Sequence, residues 1–259
     1  AKTPLYAFKL LSFVLCQLWM TYRLTRRHRI DVINAHWLVP MGFTATVVGG
    51  LTPARVVISI HGGDVFSLRG GIMKRFKSWS LAHADRVIVN SSATLHEAQT
   101  LQPRDDYAII PMGVDVEALQ PLDKTSSSGV LRLLFVGRLS PEKGVRYLIE
   151  AISKLVQQNQ AVHLTIAGTG SEEQALRDQV RAAGLEQYVA FVGWTPHAEF
   201  PTLFRDADLF VGPSIIADNG WQEAFGLVFA ESLALDTPVI GTKTGGISDI
   251  VTDGVNGLL

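Results

Sequence analysis

Short apolar runs alternate with longer stretches of helical periodicity along most of the chain. Residues 31–37 (DVINAHW), 55–63 (RVVISIHGG), 86–91 (RVIVNS) and 107–114 (YAIIPMGV) are rich in β-branched and apolar side chains and read as buried strands. A second series follows at 130–139 (VLRLLFVGRL), 162–170 (VHLTIAGTG), 188–194 (YVAFVGW), 209–214 (LFVGPS) and 238–246 (PVIGTKTGG). Between these runs, 145–158 and 172–184 carry the spacing of helices packed on one face. Alternating strands and helices predict parallel sheets with right-handed crossovers, covered on both faces. The segment 120–129 (QPLDKTSSSG) breaks the pattern with Pro, Ser and Gly, the composition of a linker. The predicted architecture is α/β, two Rossmann-like domains with parallel sheets facing a central cleft. The first is assigned residues 1–120, the linker 121–129, and the second 130–259. Ligands of such sheets sit beyond the carboxyl ends of the strands.

One stretch departs from the alternation. Residues 5–24 (LYAFKLLSFVLCQLWMTYRL) are long enough to cross a bilayer. Lys9, Ser12, Gln17 and Thr21 nevertheless recur at roughly helical spacing, which predicts a largely buried amphipathic helix with one narrow polar stripe. A helix lying in a membrane plane and a spanning helix are the other readings, and the basic run 23–29 (RLTRRHR) suits anionic lipid.

Composition narrows the function classes. The 259 residues are 47% hydrophobic and 18% charged with a formal net charge of −1, which is globular and offers no electrostatic footprint for nucleic acid. A single cysteine, Cys16, excludes an internal disulfide and a cysteine metal cluster and suits a reducing compartment. The chain opens on Ala1 and stops at GVNGLL, which reads as mid-strand, so a piece of a longer protein is expected.

The polar residues that interrupt the apolar pattern gather at strand ends. FVGRLSPEKG (135–144) places Arg138 just after a strand and Lys143 five residues on. Ser140 and Pro141 read as a cap and first helical position, which puts Lys143 in a first turn, where a cation opposes the helix dipole. A bound anion accounts for both cations; so do two solvated surface charges. In AGTGSEE (167–173), Gly168 and Gly170 let a ligand approach the backbone, or form a simple turn capped by Ser171. The dinucleotide fingerprint is incomplete, because Glu173 takes the place of its third glycine. SIHGGD (59–64) presents His61 beyond a strand, as a cleft imidazole or as one bonded within its turn; His36 in NAHW is a weaker candidate of the same kind. Asp206 and Asp208 in DAD read as caps between a helix and a strand. No serine lies in a nucleophile elbow and no cluster has metal-ligand spacing.

WQEAFGLVFAESLA (221–234) is the most informative segment. Glu231 is the sole charge in an otherwise apolar helix, and a buried carboxylate costs several kcal/mol unless its lone pairs are engaged. Gly226 and Leu227 open that helix, whose free N–H groups attract phosphate oxygens. Glu223 lies just ahead and Glu231 roughly 7 Å along the axis at ~1.5 Å per residue, one carboxylate on each side of an anion site. A ligand with a central diphosphate, a sugar at one end and a ribose at the other fits this spacing, with Arg138 and Lys143 neutralising the phosphates.

These residues resemble the retaining GT4-type glycosyltransferases of GT-B fold, over nearly the whole chain. The E-x7-E element from Glu223 to Glu231 is the most specific match, supported by FVGRLSPEKG, IIPMGVD (109–115), GPS (212–214) and HGGD in the family's order. The family's glycine-rich loop after its first strand and its closing C-terminal helix are absent. The resemblance implies a nucleotide-diphosphate-sugar donor, with UDP or GDP the expected nucleotide. It implies Arg138, Lys143, Gly226 and Leu227 at the diphosphate, Glu231 at the ribose, Glu223 at the transferred sugar, and the base near Gly168–Gly170 and Gly193–Trp194. His61 would face the reacting carbon. It further implies metal-independent transfer with retention, no cofactor, and a glycan or lipid-linked acceptor in cell-envelope polysaccharide or glycolipid synthesis. Relatives often work at the cytoplasmic face of the inner membrane, as a cytoplasmic protein with peripheral contact. A nucleotide-sugar epimerase of similar shape and a non-catalytic sugar-nucleotide-binding relative are the alternatives.

Overall fold

The computed structural model describes residues 4–67, 70–125 and 129–259, and the chain divides into two compact units, Ala1–Pro111 and Met112–Leu259. The first unit carries four parallel strands in the order β1-β2-β3-β4. They are β1 (Val32–His36), β2 (Arg55–Ile60), β3 (Arg86–Val89) and β4 (Tyr107–Ile109). All lie within the apolar runs, but the edge strands correct the expectation of burial, since only Ala35 of β1 is buried and Ile109 of β4 is 48% exposed. Val56, Ile58, Ile60, Val87 and Val89 are essentially inaccessible, as strands covered on both faces require. The helix Ser92–Leu101 starts at a capping box: Ser91 Oγ accepts from Thr94 N–H, and Ser91 N–H donates to Thr94 Oγ1 at 3.0 Å.

The helix Pro4–His28 forms, but its orientation corrects the expectation of a largely buried element. Ser12, Gln17 and Thr21 of the polar stripe are half-buried and Thr25 is buried, while Phe8, Leu11, Phe13, Leu15 and Trp19 are more than half exposed. The helix packs beside Phe43–Gly49, where Thr44, Ala45 and Thr46 are buried. Small hydroxyl-bearing residues let the two backbones approach, which turns the bulky apolar side chains outward. No helix among the described residues is long and apolar enough to cross a membrane.

The second unit carries six parallel strands in the order β10-β9-β8-β5-β6-β7. They are β5 (Leu131–Val136), β6 (Val162–Ala167), β7 (Val189–Gly193), β8 (Leu209–Val211), β9 (Val239–Ile240) and β10 (Gly257–Leu258). The chain runs outward from β5 to β7, then returns to β5's other side for β8. The order therefore reverses between β5 and β8, the switch point at which ligands bind in open α/β sheets. Strand β5 alternates sides: Leu133 and Phe135 join the core under the helices Val145–Gln157 and Glu173–Ala182. Leu134 and Val136 join the opposite core with Phe204, Phe210, Phe229 and Ile247.

The division between units falls earlier than the Ser-rich segment. Leu119 is buried in the second core, and Lys124 Nζ donates to Phe204 O at 2.9 Å and Ala207 O at 3.1 Å. Residues 126–128 of the expected linker lie outside the described residues.

Candidate functional site

At the switch point the loops after β5 and β8 are bonded together. Ile215 N–H donates to Glu142 O at 2.8 Å. Gly144, at φ +66°, lies so close to Pro213 that a Cβ there would stand 2.0 Å from its carbonyl oxygen. That glycine also corrects the local reading: Pro141–Lys143 is a separate 3-10 turn, and the helix starts afresh at Val145. The Ser140 hydroxyl binds Glu142 Oε1 at 2.6 Å and caps no backbone N–H. Lys143 thus ends a turn instead of sitting inside a first helical turn, so it opposes no continuous dipole.

Lys143 Nζ forms a close ion pair with Glu223 Oε2, both side chains mostly buried. The Glu223 backbone is clamped by the loop after β9: Gly246 N–H donates to Glu223 O at 3.0 Å, and Gly245, at φ +57°, leaves no room for a Cβ beside that carbonyl. The helix Leu227–Ala234 then begins at Gly226 with no capping side chain. Sequence spacing separates Lys143 and Glu223 into phosphate and sugar contacts; the structure makes them one charge-assisted pair.

Glu231 is 7% exposed, and its Oε1 lies 2.9 Å from His197 Nε2. His197 comes from the short turn His197–Glu199 after β7. Nothing in the sequence marked it, since it stands between elements in an unpatterned stretch.

A cavity of about 300 Å³ opens beside these residues, lined among others by Arg138, Gly168, Trp194, Thr195 and Phe200. Gly168 and Trp194, both expected near a base, share this wall with Arg138. Gly170 does not; a Cβ there would meet Leu139 O at 2.1 Å, so its smallness serves backbone packing. Asp206 is the C-cap residue of the helix Phe200–Arg205, as the sequence suggests, and both Asp206 and Asp208 also form ion pairs. Asp208 accepts from Arg132 N–H at 2.8 Å and from its guanidinium at 2.6 Å, and Asp206 accepts from Arg205. Arg132 accordingly holds the Asp208 carboxyl below the usual carboxylate range.

In the first unit, His61 follows β2 and His36 ends β1, adjacent strands in register. Their rings stack with His36 Nδ1 2.7 Å from His61 Nε2, and Asn34 Oδ1 accepts from Ser59 Oγ at 3.1 Å alongside. The loop is built on Asp64, which the motif contains but whose role was not legible. Its Oδ1 accepts from His61 N–H at 3.2 Å and Gly62 N–H at 2.9 Å, and its Oδ2 from Leu38 N–H at 3.1 Å. Burial pushes the Asp64 carboxyl up, and these backbone donors work against that shift. Among the described residues no three His, Cys, Asp or Glu side chains gather as metal ligands.

Comparison with known proteins identifies the family and the fold. Residues 1–118 match the model of glycosyltransferase family 4, and residues 123–259 match that of glycosyl transferases group 1. A glycogen synthase of Mycobacterium tuberculosis (strain ATCC 25618 / H37Rv) is 31% identical over 243 residues, covering 90% of this chain and 57% of that protein. The putative colanic acid biosynthesis glycosyltransferase WcaL of Escherichia coli (strain K12) is 28% identical, covering 89% and 58%. The chain thus spans a little over half the length of these relatives. Among solved structures, Anabaena Alr3699/HepE in complex with UDP-glucose superposes with a TM-score of 0.73 at 26% identity, over 93% of this chain and 67% of that one. A Thermosynechococcus elongatus sucrose-phosphate synthase shares the fold at a TM-score of 0.78 and 21% identity, over 97% and 65%. With one family model matching more than half of its residues, and with GT-B structural neighbours, the chain belongs to the glycosyl transferases group 1 family.

Proposed function

We propose that this chain carries the donor-handling machinery of a retaining, metal-independent glycosyltransferase. It moves a sugar from a nucleotide-diphosphate-sugar to a glycan or lipid-linked acceptor in polysaccharide or glycolipid synthesis. One observation carries the reading: at the β5/β8 switch point Lys143 pairs with Glu223 just ahead of the uncapped N-terminus of Leu227–Ala234, while Arg138, on the loop after the same β5, lines a cavity.

Arg138, Lys143 and the N–H groups at Gly226 and Leu227 hold the diphosphate, where negative charge grows as the glycosidic bond breaks. Glu223, steadied by Lys143, accepts hydroxyl protons of the transferred sugar, and Glu231 accepts those of the ribose. The base lies in the cavity by Gly168 and Trp194; HepE's complexes with UDP and UDP-glucose favour uracil. His61 in the first unit is assigned to the reacting carbon on the family resemblance. The acceptor hydroxyl attacks the anomeric carbon as the carbon–phosphate-oxygen bond opens on the same face. Its proton passes to the departing phosphate. The protein's share is positioning and charge stabilisation.

The outward apolar side of Pro4–His28, ending in Arg26, Arg27 and His28, supports peripheral contact with an anionic membrane face in the cytoplasm. The function is tested by incubating a nucleotide-sugar panel with the protein and following release of nucleoside diphosphate and the product's anomeric configuration. Retained configuration in a transferred product is expected. An epimerised donor formed without acceptor would overturn the reading.

A further inference from the structure

We propose that His197 is a positioning residue for the nucleoside end of the donor: it holds one oxygen of Glu231 so that the carboxylate is presented to the ribose hydroxyls. The inference rests on the donor site proposed above and adds a residue that neither the E-x7-E spacing nor the cavity lining includes.

Glu231 sits on the helix Leu227–Ala234 with its side chain only 9% exposed, whereas the His197 side chain is 53% exposed. The imidazole therefore stands on the solvent side of a buried carboxylate. An ionised carboxylate only accepts, so the nitrogen at 2.9 Å must carry a proton toward it. That bond uses one lone pair of Oε1. The second lone pair of Oε1 and both of Oε2 remain, enough for two neighbouring hydroxyls. Without the imidazole the terminal carboxylate torsion is soft, since such torsions are broad and roughly two-fold.

His197 is itself held. Its turn closes through Glu199 N–H to Pro196 O at 2.9 Å, and its ring centroid lies 4.8 Å from that of Phe200. Phe200, Trp194 and Thr195 line the cavity. One short segment, 194–200, thus supplies both a cavity wall and the partner of the buried carboxylate. A base in the cavity and a ribose at Glu231 would be registered to each other through it.

The test uses the nucleoside diphosphate that the wild type binds most tightly among UDP, GDP and ADP, together with its 2′,3′-dideoxy analogue, in calorimetric titrations. His197→Ala should weaken the ribonucleotide roughly fivefold to thirtyfold, the effect of one well-placed hydrogen bond. It should leave affinity for the dideoxy analogue unchanged. His197→Gln, whose amide N–H can reach Glu231, should recover most of the loss. Melting curves should show all three proteins folded. Equal losses for both probes would mean that His197 acts on the nucleotide independently of the ribose hydroxyls, through its packing on Phe200, and would overturn the proposal, as would no loss for either. Failure of the wild type to bind any of the three nucleotides would instead refute the donor-site reading, and this proposal with it.

Discussion

Asp64→Ala should unravel the loop that carries His61. The residue is 2% exposed, and its carboxylate takes three backbone N–H groups, from Leu38, His61 and Gly62, at 2.9–3.2 Å. Truncation leaves those three N–H groups without their acceptor, at about 1–3 kcal/mol each for a buried unpaired donor before water enters the gap. Removing the carboxylate also removes its burial cost, several kcal/mol. The net loss should be about 2–4 kcal/mol, or roughly 5–15 °C in melting temperature for a chain of this size. Asp64→Asn should cost less, since one amide oxygen can still accept from His61 and Gly62, while its N–H groups face the Leu38 donor. Calorimetry should be paired with amide hydrogen exchange, in which Leu38, His61 and Gly62 lose protection together. The raised carboxyl adds a pH signature. Folding favours its protonated form, so its contribution is fully present below the unfolded value of 3.8 and is lost as pH rises through the folded value. Asp64→Asn should abolish that slope. A melting temperature unchanged in Asp64→Ala, with exchange at the three amides unaltered, would refute the reasoning.

Glu223→Gln should reduce turnover more than affinity for the bare nucleoside diphosphate, whereas Glu231→Gln should weaken that affinity by ~1–2 kcal/mol. Equal affinity losses in titrations would erase the division of labour between the two carboxylates. Transfer should survive EDTA; activity abolished by chelation and restored by magnesium would refute metal independence. The protein should sediment with phosphatidylglycerol vesicles but not phosphatidylcholine vesicles, and Trp19→Glu should release it, because Trp19 is among the exposed apolar residues of Pro4–His28. Vesicle binding unaffected by that substitution would remove the helix from the contact.

Much of the fold was legible because parallel strands buried on both faces are continuous apolar runs. Val56, Ile58 and Ile60, or Leu133 to Val136, announce themselves without help from the rest of the chain. The site was legible where residue types are unusual for their setting, as with Glu231 in an apolar helix. What it touches was not, because His197 lies 34 residues away and comes into range only when β7 and the helix after β8 take their places. Asp64 was hidden for a similar reason: Leu38, 26 residues earlier, is joined to it by the register of β1 and β2. The Pro4–His28 helix was readable as a helix but not as to which side turns inward, since both its polar stripe and its apolar remainder can pack. Ser140 and Pro141 misled because the same pair can open a 3-10 turn as well as an α-helix, and here Gly144, at φ +66°, separates the two.

Arg138 is the sharpest probe of the proposed donor site, because it lines the cavity beside the switch point and its side chain is exposed, whereas Lys143→Ala would also strand Glu223. Nucleoside diphosphate should be titrated into wild type and Arg138→Ala by calorimetry, with melting curves alongside. Loss of one charge-assisted phosphate contact should weaken binding by about 1.5–3 kcal/mol, roughly ten- to 150-fold, with no change in melting temperature. Equal affinity in the two proteins would mean that the diphosphate does not sit at the β5/β8 switch point.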